Sequence, residues 1–195
     1  VGNPNVGKSV IFGLLTGKYV TVSNYPGTTV EVSYGNISLD SKRFVLVDTP
    51  GTNSLIPMSE DEKVARDILL KESPSAIIQV ADSKNLKRTL LLTLQIAEMG
   101  IPMVLDLNMA DEARDRGIVI DTERLSEILG INIIPTIAPQ RKGIKELRAS
   151  ILNPLIPKIK IRYPEKIEEY IDRISSLIPV SAISKRSIAL MILSG

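Results

Sequence analysis

The chain has 195 residues, of which 44% are hydrophobic and 24% are charged, and these values are typical of a globular protein. It contains no Cys and no His, which excludes disulfide scaffolds, thiol nucleophiles, His-based catalytic sites and Cys/His metal centres. The net charge of +2 is too small to indicate binding to nucleic acid or to an anionic membrane. Any chemistry must therefore use carboxylates, amides, hydroxyls, Lys, Arg, backbone dipoles or a cation bound by oxygen atoms.

The hydrophobic pattern alternates between strand-like and helical stretches up to about residue 152. It predicts strands over 30–39, 43–48, 76–81, 102–107 and 131–137. It predicts helices over 10–15, 59–71, 86–99, 121–129 and 143–152. This alternation predicts an α/β fold with a mostly parallel sheet, helices on both faces and a ligand site at the carboxyl ends of the strands. Because the sequence opens inside a motif, we expect the first strand of this fold to precede Val1.

The end of the chain has a different character. Pro154, Pro157 and Pro164 mark a boundary. Beyond it, apolar residues recur at helical spacing over 167–178, and Ser184 is expected to cap a further helix. We therefore predict an α/β domain over residues 1–153 and a helical domain over residues 154–195. No apolar run in the sequence reaches the length needed to span a bilayer.

The first chemical motif, GNPNVGKS, fits the pattern G-x-x-x-x-G-K-[ST] in full, directly before a predicted helix. Its glycines let backbone N–H groups surround a phosphate, Lys8 supplies a positive charge, and Ser9 offers a hydroxyl to Mg²⁺. The alternative, an ordinary Gly turn that caps a helix, rarely matches all eight positions. We predict that the nucleotide contacts Gly2, Asn3, Pro4, Asn5, Val6, Gly7, Lys8, Ser9 and Val10. The motif alone does not distinguish ATP from GTP.

The second motif, DTPG, begins at Asp48, at the end of the predicted strand 43–48. Asp48 is expected to hold a water on Mg²⁺, and the Gly51 N–H is expected to bind the γ-phosphate. The same four residues also make a good turn. Their position downstream of the first motif favours the functional interpretation.

The third motif, NMAD, follows the predicted strand 102–107. The carboxylate of Asp111 can accept both the N1–H and the 2-amino group of guanine, and adenine offers neither donor in that arrangement. The wrong base would leave this carboxylate unpaired. Asn108 is expected to tie this loop to the phosphate-binding loop. A helix N-cap is the alternative, and it is less favoured because the motif comes third after two phosphate motifs.

The segment 24–30 lies between the first two motifs. A mobile loop here could bring a Thr hydroxyl to Mg²⁺ only while a γ-phosphate is present. Thr28 and Thr29 both fit this role, and the β-branched residues that follow are also typical of a strand start. The pattern leaves the choice between the two threonines open.

These motifs in this order resemble a small GTPase domain of the Ras-like P-loop class. They resemble one family closely, the cytosolic amino-terminal region of ferrous-iron transport protein B (FeoB). The matching stretches are GNPNVGKS at 2–9, NYPGTTVE at 24–31, DTPGTNSL at 48–55, SEDEKVARD at 59–67, LNMADEARDRGIVID at 107–121 and ISKRSIAL at 183–190. The resemblance implies a G domain that hydrolyses GTP to GDP, followed by a helical domain resembling a guanine-nucleotide dissociation inhibitor.

The resemblance also implies the cellular setting and the partners. It places the chain in the cytoplasmic domain of an inner-membrane protein that regulates ferrous-iron uptake. The partners would be GTP or GDP and the membrane permease portion of the same polypeptide. No nucleic acid is expected, and a monomer and a homo-oligomer both remain open.

Residue roles follow from the resemblance by position. Thr29, rather than Thr28, would ligate Mg²⁺ together with Ser9 and Asp48. Asn5 would coordinate an activating K⁺, and backbone carbonyls near Ser23 and Tyr25 would complete that site. The K⁺ would supply the positive charge that an arginine finger supplies elsewhere. The residues expected to act in hydrolysis are Asn5, Lys8, Thr29 and Gly51.

Three positions depart from the broader GTPase pattern. Met109 replaces the Lys of N-K-x-D, which predicts weaker nucleotide binding. Thr52 stands where many GTPases carry a water-orienting Gln, which predicts slow hydrolysis. Thr136, Ile137 and Ala138 occupy the last guanine-contact loop, where the family usually has Ser-Ala. Ile137 and Ala138 are expected to contact the nucleotide, with the Ala138 N–H directed to guanine O6.

Two other functions compete with this interpretation. A ribosome- or RNA-associated assembly GTPase can share the phosphate-loop Asn, but the tail has no stacking aromatic residues beyond Tyr163 and Tyr170. A nucleotide-gated scaffold that does not hydrolyse GTP is the third possibility. Direct iron binding is disfavoured, because the surface carboxylates of 60–62 are expected on a solvated helix face, where Ser59 and Glu62 predict a capping box.

Overall fold

The computed structural model describes residues 1–17 and 20–194, and its strands form two three-stranded sheets. The first sheet is antiparallel and contains β1 (Val20–Asn24), β2 (Glu31–Leu39) and β3 (Lys42–Asp48) in that order. The β2–β3 hairpin turns at Asp40 and Ser41, whose φ angles of 44° and 64° suit the left-handed positions of a tight hairpin turn. The strands predicted from the sequence do not include β1, a short strand whose residues are all exposed.

The second sheet is parallel and lies at the centre of the molecule. It contains β4 (Ile77–Asp82), β5 (Met103–Asn108) and β6 (Asn132–Pro135), with β5 in the middle. All six residues of β5 are buried, as expected for a strand covered on both faces. The register places Asp82 beside Asn108, so the carboxyl ends of the strands meet at one edge. The predicted parallel sheet is therefore confirmed.

Val1 extends the parallel sheet on the side of β4 that faces away from β5. Its nitrogen donates to the Ile78 carbonyl at 3.0 Å, and its carbonyl accepts from the Val80 N–H at 2.8 Å. Between β3 and β4 lies a cavity of about 530 Å³, lined in part by Val47 and Ile78. A strand that precedes Val1 stays a prediction.

Helices cover both faces of the parallel sheet. The helices of the described residues are α1 (Lys8–Thr16), α2 (Glu60–Lys71), α3 (Leu86–Glu98), α4 (Ala110–Asp115), α5 (Thr122–Leu129), α6 (Ile144–Leu152), α7 (Glu165–Leu177) and α8 (Lys185–Ser194), and the last two form the tail of the chain. Ile11 of α1 and Leu147 of α6 pack in one core cluster with Val104. Leu92 of α3 packs in another cluster with Leu105. Within the described ranges, no helix is long and apolar enough to cross a membrane.

The helical tail is fastened to the end of α3. Arg186 of α8 pairs with the buried carboxylate of Glu98 at 3.0 Å and with Glu168 of α7 at 2.5 Å. Ser184 accepts a hydrogen bond from the Ser187 N–H at 3.0 Å, so it caps α8 as its position predicts. Its hydroxyl also donates to the Glu98 carbonyl at 2.7 Å. A division into two domains at residue 154 stays a prediction.

Candidate nucleotide-binding site

The phosphate loop, residues 2–9, runs from the edge of β4 into α1. Asn5 and Gly7 have left-handed φ angles of 63° and 88°, which turn the backbone tightly. A Cβ atom on Gly7 would lie 2.4 Å from Nδ2 of Asn108, and one on Gly2 would lie 2.1 Å from the Val80 carbonyl oxygen. Both glycines are therefore required by close approach. The loop leads into the N-terminus of α1, where backbone N–H groups and the helix dipole favour an anion.

The predicted magnesium ligands meet at the start of α1 and the end of β3. The Ser9 hydroxyl donates to Oδ2 of Asp48 at 2.8 Å. A hydroxyl and a carboxylate are the oxygen donors that Mg²⁺ prefers, so this pair fits the ion. Burial lowers the pKa of the neighbouring Lys8, and the charge of Asp48 partly opposes that effect. The structure thus brings a lysine, a hydroxyl and a carboxylate together at this end of the sheet.

The loop over residues 48–55 is braced against the phosphate loop. The Thr52 N–H donates to the Gly2 carbonyl at 3.0 Å, and Nδ2 of Asn3 donates to the Thr52 carbonyl at 3.3 Å. A Cβ atom on Gly51 would lie 3.0 Å from Cα of Pro4, so these two residues are in close contact. The buried Asn3 side chain therefore supports the 48–55 loop. The backbone of the phosphate loop stays available to contact a nucleotide. The Thr52 side chain is also fully buried.

Glu62 differs from its predicted role. Its side chain is buried, with Oε1 accepting from the Asn53 N–H at 3.0 Å and Oε2 from the Met58 N–H at 2.9 Å. Ser59 does cap α2, because its hydroxyl accepts from the Glu62 N–H at 3.2 Å. The carboxylate holds the preceding loop instead of closing the capping box on Ser59. The expectation of a solvated face is wrong for Glu62, although Glu60 on the same turn is exposed.

Asn108 joins the third motif to the phosphate loop, as expected from the sequence. Its Nδ2 donates to the Val6 carbonyl at 3.0 Å. Its Oδ1 accepts from the Ala138 N–H at 3.1 Å and lies 3.2 Å from the Thr136 hydroxyl oxygen. The Ala138 N–H, which we expected to reach guanine O6, is therefore directed at Asn108 in this structure. Ile137 beside it is buried.

Two residues near Asp111 were not singled out from the sequence. Nε2 of Gln140 lies 3.4 Å from Oδ2 of Asp111. Nζ of Lys84 lies 2.5 Å from Oε2 of Glu112 and 3.4 Å from the sulfur of Met109. Lys84 lies two residues after the end of β4, and the strand register places that end beside Asn108. A prediction of this register could therefore have placed Lys84 near Met109. A lysine from the neighbouring strand end thus contacts the residue that replaces the Lys of N-K-x-D.

The segment 24–30 is not assembled with the phosphate loop. Tyr25 is buried beside Val64 of α2, and its carbonyl accepts from the Thr28 N–H at 3.0 Å and the Thr28 hydroxyl at 2.9 Å. The Thr29 side chain is exposed. Among the described residues, no hydrogen bond joins this segment to the phosphate loop. The described hydrogen bonds therefore do not link Thr29, Ser23 or Tyr25 to Asn5, and their predicted roles stay predictions.

A parallel sheet covered on both faces, with a phosphate loop before α1 and a carboxylate at the end of β3, defines a P-loop nucleotide-binding domain of the GTPase class. The sequence profile of the family described as "Ferrous iron transport protein B" matches residues 1–151. The chain belongs to this family. It is 42% identical over 181 residues to the Fe(2+) transporter FeoB of Staphylococcus aureus strain MSSA476.

This match covers 91% of the chain and 27% of the S. aureus protein, so the chain spans about a quarter of that relative's length. The match to FeoB of Escherichia coli K12 is 41% identical over 155 residues, and it covers 77% of the chain and 20% of that protein.

Solved structures agree with this family assignment. The cytosolic domain of L. pneumophila FeoB superposes with a TM-score of 0.93 at 33% identity, covering the whole chain and 87% of that domain. The cytosolic domain of T. maritima FeoB in its GMPPNP form superposes with a TM-score of 0.90 at 38% identity, covering the whole chain and 79% of that domain.

The buried Glu62 carboxylate provides a direct test of how the 48–58 loop is held. Burial raises the pKa of Glu62, but the backbone hydrogen bonds from Met58 and Asn53 outweigh burial, so the pKa lies below the usual 4.5. We expect Glu62→Gln to lower the free energy of unfolding by about 1–3 kcal/mol, because the charge-assisted hydrogen bonds from the Asn53 and Met58 N–H groups weaken. Urea denaturation at pH 7 measures this change.

Glu60→Gln is the matched control, because Glu60 is exposed on the same helical turn. It should change the free energy of unfolding by less than about 0.5 kcal/mol. The difference between the parent protein and Glu62→Gln should shrink as pH falls below about 4.5, because a depressed carboxyl pKa stabilises the fold only above that range. Equal stabilities of the two variants would contradict the role of Glu62.

Proposed function

We propose that the chain binds guanine nucleotides, hydrolyses GTP to GDP and phosphate, and acts as the cytoplasmic switch of a membrane ferrous-iron transporter. One observation carries this proposal: Asn108 hydrogen-bonds to the phosphate loop from the end of the strand that leads to Asp111. The loops proposed to bind the phosphates and the base therefore form one hydrogen-bonded unit. The FeoB domains in GDP and GMPPNP forms, and relatives that are Fe(2+) transporters, support the proposal.

The proposed partner beyond the nucleotide is the permease portion of a longer polypeptide in the inner membrane. This part of the proposal draws on the relatives, of which the chain spans about a quarter. The RNA-associated alternative has no such support, since the curated relatives named above are iron transporters.

The proposed chemistry uses the pair at the end of β3. Ser9 and Asp48 would hold Mg²⁺, which neutralises charge on the β- and γ-phosphates when bound. Lys8 would orient the same phosphates, and the Gly51 N–H would hold the γ-phosphate. Thr29 would join this group once GTP is bound. We propose a slow intrinsic rate, because the buried Thr52 hydroxyl donates to the Ser54 carbonyl at 2.6 Å and cannot orient a water there.

The proposed activating K⁺ would be held by Asn5 and by carbonyls near Ser23 and Tyr25. In this structure the Tyr25 carbonyl already accepts two hydrogen bonds from Thr28. Assembly of the ion site therefore requires that the 24–30 segment release this turn and move to the phosphate loop. Because this movement is coupled to the γ-phosphate through Thr29, K⁺ would act on hydrolysis more than on GDP binding.

The identity of the base is tested at Asp111. We expect Asp111→Asn to weaken GDP binding about 10-fold or more, because charged hydrogen bonds to the guanine N1–H and 2-amino groups are lost. The same variant should bind xanthosine diphosphate more tightly than the parent protein does, because its 2-oxo group needs a donor. Fluorescence competition with the two nucleotides measures both changes. An unchanged preference between them would contradict the assignment.

The switch is tested by comparing two adjacent threonines. We expect Thr29→Ala to slow GTP hydrolysis about 10-fold or more while GDP affinity stays within about 2-fold, because its Mg²⁺ contact forms only with a γ-phosphate. Thr28→Ala is the matched control, since its hydroxyl is engaged with Tyr25, and it should have the milder effect. Single-turnover phosphate release measures the rates, and the reverse order would show that Thr28 is the ligand.

The potassium requirement is tested by ion replacement. We expect GTP hydrolysis to be faster in KCl than in NaCl at equal ionic strength, by up to about 10³-fold, because a fixed positive charge stabilises the transition state. Asn5→Ala should abolish the difference, with little loss of GDP binding since Lys8 and the backbone loop remain. If the parent protein hydrolyses GTP equally fast in both salts, the ion site is wrong.

A further inference from the structure

A buried carboxyl group lies on β5, two residues before Asn108. The Asp106 side chain is fully buried, and its Oδ1 lies 2.5 Å from the Thr136 hydroxyl oxygen. Its Oδ2 has no hydrogen-bond partner among the described residues. Burial raises the pKa of Asp106 to about 7, and the hydrogen bond from Thr136 opposes that rise. Neither the predicted nucleotide contacts nor the metal ligands include this group.

Apolar residues surround Asp106. In the sheet it pairs with Val80 of β4 and Ile134 of β6, and it shares a face of β5 with Val104, which α1 and α6 cover. The charged residues of the elements on this face are Lys8 of α1, Asp82 at the end of β4, Arg141 after the 138–140 turn, and Lys145, Glu146 and Arg148 of α6. Within the described part of the chain, none of them pairs with Asp106. Its ionisation therefore depends on burial and on Thr136.

The Thr136 hydroxyl has two acceptors but only one proton. Its oxygen lies 2.5 Å from Oδ1 of Asp106 and 3.2 Å from Oδ1 of Asn108. The Asn108 amide orientation is fixed, because Nδ2 must face the Val6 carbonyl and Oδ1 must face the Ala138 N–H. An amide oxygen and an ionised carboxylate both only accept hydrogen bonds. The hydroxyl can therefore donate to one of them at a time.

The protonation state of Asp106 decides between the two arrangements. When the carboxyl is protonated, its O–H donates to the Thr136 oxygen, and the Thr136 hydroxyl is free to donate to Asn108. When the carboxyl is ionised, the Thr136 hydroxyl donates to the nearer, charged oxygen, and Asn108 loses one of its two donors. In the protonated state the proton is bound to Asp106, and in the ionised state it has been released to solvent.

We propose that Asp106 and Thr136 are positioning residues for the nucleotide site, and that proton uptake by Asp106 directs the Thr136 hydroxyl to Asn108 and tightens the loops around the base and phosphates. This inference rests on the proposed guanine-nucleotide function and adds a regulation to it. The chain has no His and no Cys, so no other side chain of ordinary pKa titrates between pH 6 and 8. A pH dependence in that range that is absent in Asp106→Asn therefore points to this carboxyl.

The test is the dissociation rate of fluorescent mant-GDP, chased with excess GDP at saturating Mg²⁺ from pH 6 to 8.5. For the parent protein we expect the rate to rise about 3- to 10-fold with a midpoint near pH 7, which corresponds to the loss of one hydrogen bond. Asp106→Asn should be slow at every pH, because its amide N–H donates to Thr136 as the protonated carboxyl does. Thr136→Val should be fast at every pH, because it cannot donate to Asn108.

Thr136→Ser is the conservative control, and it should restore the pH profile of the parent protein because it keeps the hydroxyl. If Asp106→Asn does not fold, the comparison of Thr136→Val with Thr136→Ser still tests the proposal. A purely structural role would change the melting temperature of these variants but leave the shape of the dissociation profile unchanged. Relative to Asp106→Asn, the parent protein should lose stability as pH rises from about 4 to 7, because the folded state holds the Asp106 proton more tightly than the unfolded state.

Two failures can be told apart. A parent protein that does not retain mant-GDP at any pH would overturn the proposed function and this inference with it. A parent protein that binds mant-GDP, but shares its pH profile with Asp106→Asn or with Thr136→Val, would overturn the positioning role alone.

Discussion

The whole candidate site depends on one buried amide, Asn108. It donates to a carbonyl of the phosphate loop and accepts from the loop over 136–138, so three segments distant in sequence share one side chain. Its approach is allowed only because Gly7 has no Cβ, which would lie 2.4 Å from the amide nitrogen. A buried amide that lost these partners would leave unpaired polar groups in the core. The buried hydrogen bonds of Asn108 thus fix how the loop that leads to Asp111 lies relative to the phosphate loop.

The other loops of the site differ in how firmly they are held, and this difference fits the proposed roles of nucleotide binding and switching. The buried side chains of Glu62 and Asn3 brace the loop after β3 through hydrogen bonds to its backbone. The 24–30 segment instead closes a turn on itself through Thr28 and Tyr25, and Thr29 is exposed. The proposed GTP-dependent change would therefore need only to break this local turn, while the rest of the site stays in place.

The sequence predicted the parts of the fold whose signals are local. The parallel strands are continuous apolar runs, and the phosphate loop is a contiguous motif before a helix. β1 was missed although Val20 and Val22 alternate with polar residues, because this run is short and lies on an exposed edge strand. Glu62 was assigned to solvent because its partners, Asn53 and Met58, lie in a loop whose path the sequence pattern does not give. Lys84 and Asp106 were missed because their contacts cross between strands, and only the register brings them to Met109 and Thr136.

The central claim is that this frame binds a guanine nucleotide through Asp111, and an equilibrium titration of the parent protein with GDP and with ADP in the presence of Mg²⁺ tests it most directly. Two charged hydrogen bonds to the guanine edge predict that GDP binds at least about 100-fold more tightly than ADP. Equal affinity for the two nucleotides, or tighter binding of ADP, would contradict the account.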